Sequence, residues 1–465
     1  MVGETNNTKI RKDNGHIRFP LSKFPRDRVI DTPSAVVHRE ARLEGGVLVV
    51  LLLAPIVYLS VRHGIHVCLY ILALLAVFQL TRNPAPFREG LADPWARRLV
   101  IAFASLFVAT LVTQVLNQSI HWPSFDGPSK ILLAGLVFLF LRNLRIAFAK
   151  VLELALPLAL LCVFLVIVMS PEPRKVWDGP LAMGRFATSF VDPNSLGSQS
   201  LILTMLCVIS IGLFAKKRTW LFVLKLIAIA IGGVIVVNAQ SRGGWLAIPP
   251  LLMLWLALYF SQNTLRGPAR LLPPAIVLCA ASTLMAIGYE TSPILSNRGN
   301  FAVENANDWL AGKNLESPIG IRLSIWDVSM TLARESPWIG YGETGLKAVL
   351  VTHPLNIPAN RSAIDTLLFA GAHSDILAKQ LSMGIIGLAA YFATMLVPWL
   401  YFWKHRCHAH CDSRAAAHLG LYFITGVFVC GLTNEMLSLK YLCSFFGLMI
   451  AGLAADISRR ERWRA

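Results

Sequence analysis

From about residue 45 onward the chain alternates long apolar runs with short polar or basic segments. A helix needs roughly 20 mainly apolar residues to cross a bilayer. Segments of that kind run approximately over 45–61, 66–80, 98–116, 130–144, 151–169, 198–215, 219–238, 244–260, 271–289, 376–403, 415–432 and 440–456. The expected fold is therefore an all-α polytopic membrane protein with twelve spans, an even number that leaves both termini on one side. The second and fourth runs are short, and half-inserted segments are the alternative there. The expected organisation is a cytoplasmic tail over 1–44, nine spans over 45–289, a loop or lid over 290–375, three spans over 376–456 and a short cytoplasmic tail over 457–465. The long loop shows helix-like patterning from Arg322 to Arg334, with Leu323, Trp326, Met330 and Leu332 or Ala333 near one face, followed by Pro337 and a turn at Gly340–Tyr341–Gly342. Such a segment reads equally as an amphipathic helix lying on the membrane and as a lid over a lipid-linked substrate.

Composition supports that pattern: of 465 residues 55% are hydrophobic and 15% charged, more apolar surface than one soluble core can hide. The net charge of +17 would point to a polyanion partner in a soluble protein. Here the cations fall in alternate connections, as the positive-inside rule requires: Arg82, Arg88, Arg97 and Arg98; then Arg142, Arg145 and Lys150; then Lys216, Lys217 and Arg218. Arg266 and Arg270, Lys404, Arg406 and Arg414, and Arg459 to Arg464 continue the series. Those loops are expected to be cytoplasmic, and no nucleic acid is implied. The opposite, external loops hold fewer cations, chiefly Arg62, Arg174, Lys175, Arg185 and Arg242, and the long loop lies on their side. No apolar run opens the chain, so no cleavable signal peptide is expected. Most cysteines lie inside apolar runs, where no disulfide is expected, and Cys407, His408, His410 and Cys411 lack a usual zinc spacing.

Charges inside the spans are few: Lys225, with Glu153 and Lys379 near span ends. Each costs about 2.5–3.5 kcal/mol at the bilayer centre, so an ion-coupled transporter keeps several for function, and their scarcity argues against that class. The polar groups that invite chemistry sit at the external boundary. Arg185 precedes the turn Asp192–Pro193–Asn194, whose cap at Asn194 or Ser195 would leave helix N–H groups free for an anion. Arg242 lies in a connection too tight for a loop, with Gly243 and Gly244 allowing a ligand close to the backbone. Each arginine could instead snorkel to lipid phosphate. His373, where the long loop returns to the tenth span, offers an imidazole of pKa about 6.5 for proton transfer, oriented by Ser374 or Asp375; capping of the helix is the other reading.

His373-Ser374, then nine residues, Gly384, two residues and Gly387 resemble the histidine motif of bacterial O-antigen ligases, and Arg242 to Leu246 resembles their Arg-x3-Leu motif. The stretch Arg322…Trp326…Pro337…Gly340–Gly342 is similar to that of the wider ligase and polymerase superfamily. The resemblance implies a GT-C-type inverting glycosyltransferase of the bacterial inner membrane, independent of metal and of any cofactor. It implies an undecaprenyl-diphosphate-linked O-antigen donor and a lipid A-core acceptor, joined on the periplasmic face among membrane lipids. Carried over residue by residue, Arg242 and Arg185 would hold the diphosphate and His373 would act as base; Arg322 and Arg361 are candidate supporting residues, as is Asp375, which departs from the family's pattern and would either tune His373 or cap the helix. An O-antigen polymerase or a protein O-oligosaccharyltransferase would use the same donor. A lipid-linked-oligosaccharide flippase is the non-enzyme alternative, and it calls for polar residues along a path through the bilayer.

Overall fold

The structure, a computed structural model, describes residues 33–169, 184–213, 218–262, 271–352 and 361–462. The tail before residue 33 and the basic residues Arg174, Lys175, Lys216, Lys217, Arg266, Arg270 and Arg464 lie outside the described residues. Among the described residues, the helical stretch 33–43 belongs to one unit and those from 44 to 462 to a second.

All regular structure among the described residues is helical. In chain order the helices are α1 (Pro33–Tyr58), α2 (Gly64–Arg82), α3 (Ala85–Ala92), α4 (Pro94–Leu116), α5 (Asp126–Leu141), α6 (Phe148–Met169), α7 (Pro193–Leu213), α8 (Thr219–Ala239) and α9 (Arg242–Trp245). They continue with α10 (Ile248–Gln262), α11 (Leu272–Thr291), α12 (Pro293–Leu310), α13 (Pro318–Glu335), α14 (Gly342–Thr352), α15 (Arg361–Ala370), α16 (Asp375–Lys404), α17 (Cys411–Gly431) and α18 (Lys440–Arg462). Among the described residues, twelve helical segments are long and apolar enough to cross a membrane; α9 and α10 together make one, and a 3-10 turn at Trp122–Phe125 extends α5. The two short runs thus become full-length helices, because polar residues at their ends join the apolar stretch.

The most enclosed spans are α7, α17 and α18. α18 packs against α5, α2, α17 and α6, α7 against α8, α17 and α6, and α16 against α4 and α17. The outer spans keep large apolar side chains bare, such as Leu74, Ile101 and Met253, which is stable only against lipid. Lys225 of α8 pairs with Glu153 of α6 at 2.9 Å, so these two intramembrane charges neutralise each other inside the bundle. At one end, α5–α6 is tied to the rest through basic side chains: Arg142 to Asp93 (3.5 Å), Lys150 to Asp412 (2.9 Å) and Arg459 to the carbonyl of Leu144 (2.9 Å).

At the other end the long connection folds into α12–α15 over the start of α16. Its small core is Ile325, Val328, Leu332, Leu350, Leu367 and Leu381. The helix expected over 322–334 exists, but its enclosed face is Ile325–Val328–Leu332, while Met330 of the expected stripe is 46% exposed. The segment is apolar on two nearly opposite sides, so periodicity alone has no means of choosing between them.

Candidate functional site

The site is built on the first turn of α7. Pro193 occupies the first helical position, and the Asp192 carboxylate, not Asn194 or Ser195, is the cap: Oδ1 accepts from the N–H groups of Asn194 (2.9 Å) and Ser195 (3.0 Å). The helix end therefore has those two donors filled by its own acid, and any anion binding here falls to side chains. Arg185 reaches this turn. Its Nε donates to the Ala239 carbonyl (2.9 Å) and Nη2 to Asn194 Oδ1 (2.6 Å) and the Gln240 carbonyl (3.4 Å). A buried guanidinium thereby fastens the C-terminal end of α8, where carbonyls gather negative partial charge, to the start of α7.

Arg242 is placed on the same turn by its neighbour. The Ser241 hydroxyl donates to the Asn194 carbonyl (3.0 Å) and accepts from the Gly244 N–H (3.3 Å), capping the four-residue α9 that Arg242 opens. Ser198 meets Ser241 at 3.2 Å, and Thr433 of the α17–α18 connection lies against Gly243.

His373 enters from the long loop. The charges acting on its ring are those of Arg322 on α13 and Asp192, which brings α7, α13 and the α15–α16 reversal to one place. Burial and the Arg322 cation push the imidazole down to about 4, with Asp192 opposing, so His373 is neutral and able to accept a proton at ordinary pH. Burial likewise lowers Arg322 from its ordinary value, against the pull of Asp192. His373 has φ 50°, a left-handed backbone that costs a non-glycine residue energy and needs external support.

That support comes from the α17–α18 connection. The Glu435 carboxylate receives the backbone N–H groups of Ala372 and His373, and burial raises its pKa above the ordinary range. In return Asp375 Oδ1 accepts from the Leu437 N–H (2.9 Å), and Asn434 Nδ2 donates to Ser195 (3.4 Å). Oδ1 of Asp375 is thus held by the 436–437 backbone, and the N-cap of α16 is Ser374.

Gly384 explains the second half of the histidine motif. At φ 59°, ψ −152° it breaks α16 in a conformation open to glycine alone, and the 337–341 segment fills the break. The Ile385 N–H donates to the Pro337 carbonyl and the Tyr341 N–H to the Leu381 carbonyl, both at 2.8 Å. Gly340, at φ 64°, lies so close that a Cβ there would be 2.6 Å from the Leu381 oxygen. The Gly340–Gly342 turn and the Gly384 kink are two halves of one joint.

The structure thus gathers Arg185, Arg242, Arg322 and His373 about the first turn of α7, while Arg361 sits exposed at the start of α15. From the sequence Asp192 reads only as a turn former, and Glu435 does not stand out. The one signal for Glu435 is its being an isolated acid in the short connection between the last two apolar runs.

Residues 226–392 match the family model described as O-Antigen ligase, a stretch holding Arg242, Arg322, His373 and Gly384. An uncharacterized protein of Haemophilus influenzae is 24% identical over 340 residues, covering 70% of this chain and 78% of its own. Members of the matched family are glycosyltransferase-like membrane enzymes, ligases or polymerases. With twelve helices fit to span a bilayer the chain is a multi-pass membrane protein, and over residues 226–392 it is similar to the O-antigen ligase family.

Proposed function

We propose that the protein is an O-antigen ligase, transferring a polysaccharide from undecaprenyl diphosphate to a sugar hydroxyl of lipid A-core at the periplasmic face of the inner membrane, with both termini cytoplasmic. The observation that carries this reading is an imidazole, His373, kept neutral by burial and by the Arg322 charge, and acted on as well by Asp192, the acid of the α7 turn to which Ser241, the neighbour of Arg242, is hydrogen-bonded. His373 takes the proton of the acceptor hydroxyl as that oxygen attacks the anomeric carbon from the face opposite the diphosphate. The bond from anomeric carbon to phosphate oxygen breaks, and the electron pair leaves with undecaprenyl diphosphate, giving inversion.

Negative charge grows on the departing diphosphate, and guanidinium groups in a water-poor site stabilise it through charge-assisted hydrogen bonds. Arg242 and Arg322 are the diphosphate contacts in this reading. Arg185 adds its charge from behind the turn while its hydrogen bonds to Ala239 and Asn194 fix the α7–α8 corner. The test uses purified protein with labelled donor and either lipid A-core or a second donor as acceptor. His373→Ala and Arg242→Ala are each expected to lose transfer by a factor of roughly 10² or more, on the order of a missing general base or charge contact, while remaining folded. Wild-type transfer by both variants would refute the ligase chemistry, and growth of the second donor instead of lipid A-core would make the enzyme a polymerase.

A further inference from the structure

A cavity of about 500 Å³ lies beside this site at the same end of the bundle. Leu106 of α4 and Ile131 of α5 line one side, Leu346 and Leu367 of the loop helices another, and the first turns of α16 a third. Arg185, Arg242, Arg322 and His373 do not line it. The cavity ends on Gly371, Ala372 and Glu435, so its wall is the backbone that leads directly into His373.

The lining is divided. Beside the apolar floor stand three lysines, Lys347, Lys379 and Lys440, and two carboxylates, Glu343 and Glu435. Both acids are engaged: Glu343 receives Ser124 (2.6 Å) and meets His121 (3.2 Å), and Glu435 is turned to backbone N–H groups. Lys440 pairs with Asp126 at 3.0 Å yet stays 56% exposed, able to face a second anion. Cations grouped beside aliphatic walls suit an amphiphile whose head bears phosphate; a free anion would leave the floor empty. A volume of this size matches a head group with the first carbons of its chains.

We propose that this cavity binds the phosphorylated head and upper acyl carbons of a multiply acylated glycolipid, the acceptor under the ligase reading on which this inference rests. Donor and acceptor then reach His373 from opposite sides of the 371–373 reversal, the donor from the arginines on the α7 side and the acceptor from the lysine side.

The experiment uses the full chain in lipid nanodiscs with two probes, photoreactive diphosphorylated hexa-acyl lipid A and undecaprenyl diphosphate, and measures binding without turnover. Cross-links from the lipid A probe are expected in α14, α15 and the outer turn of α4. Lys347→Glu, at an exposed position, and Lys379→Gln are expected to weaken lipid A about tenfold each, the order of one lost charge-assisted contact, and to leave undecaprenyl diphosphate binding unchanged. Cross-links elsewhere, or unaltered lipid A affinity in both variants, would overturn the proposal. So would loss of undecaprenyl diphosphate affinity, which would make the cavity the donor's. Because no transfer is measured, each of these failures leaves the His373 test of the ligase reading standing on its own.

Discussion

Replacing Gly384 by alanine tests whether the kink in α16 holds the 337–341 segment in place. The glycine has φ 59° and ψ −152°, and a Cβ would sit on the Trp338 carbonyl and 2.5 Å from the Ile339 nitrogen. Forcing a side chain into that backbone costs roughly 1–3 kcal/mol and the overlap a similar amount. The two hydrogen bonds that close the joint are worth about 1 kcal/mol each if lost. Relieving the clash by lifting the 337–341 segment away therefore becomes favourable, with a swing of about 4 kcal/mol, or roughly 10³ in the opening equilibrium. Hydrogen exchange read at the Tyr341 and Ile385 amides should accelerate by about that factor, and transfer activity should fall with it. Gly345→Ala is the control, since its Cβ would only touch Tyr341 at 3.6 Å. Wild-type protection at both amides in Gly384→Ala would refute the joint.

Removing the Arg322 charge should raise the His373 pKa, because a nearby cation disfavours the imidazolium; the value stays below 6.5, since burial is the larger cause. The acid limb of the pH–rate profile, near pH 4 in the wild type if His373 is the base, should move upward in Arg322→Gln and downward in Asp192→Asn; coincident profiles would dissociate these charges from the base. Since the folded-state pKa is the lower one, the His373 site costs stability as pH falls from 6.5 through about 4, and acid unfolding of His373→Phe should come at lower pH. Lys225→Met strands Glu153 in the bundle and should destabilise by about 3–5 kcal/mol, with most of the loss recovered in Lys225→Met/Glu153→Gln by denaturant unfolding in detergent. Glu435→Ala should release the Ala372 and His373 amides to faster exchange and lower kcat more than KM is raised, with Glu435→Gln intermediate; equal exchange in all three proteins would sink the positioning role.

The spans are legible in the sequence because a bilayer imposes a length and a composition that any run of apolar residues displays. Arg242, His373 and Gly384 are legible too, each through a local motif. Glu435 is not, because its work is done on a reversal some sixty residues away, and nothing in its own neighbours records that distance. The cap of α7 is ambiguous for a plainer reason: Asp192, Asn194 and Ser195 all have capping chemistry, and the choice among them turns on Pro193 being the first helical residue rather than a turn residue before it. The inner face of α13 is hidden by its second apolar stripe.

The mutual grip between Asp375 and the 436–437 backbone, and between Glu435 and the 372–373 backbone, means that the family-matching stretch 226–392 does not carry its own geometry. A chimera grafting only that stretch into a relative would import the histidine while leaving its scaffold behind. Exchanges that also move the final helical hairpin should keep the imported histidine correctly poised, whereas shorter ones should yield inserted, stable and inactive proteins.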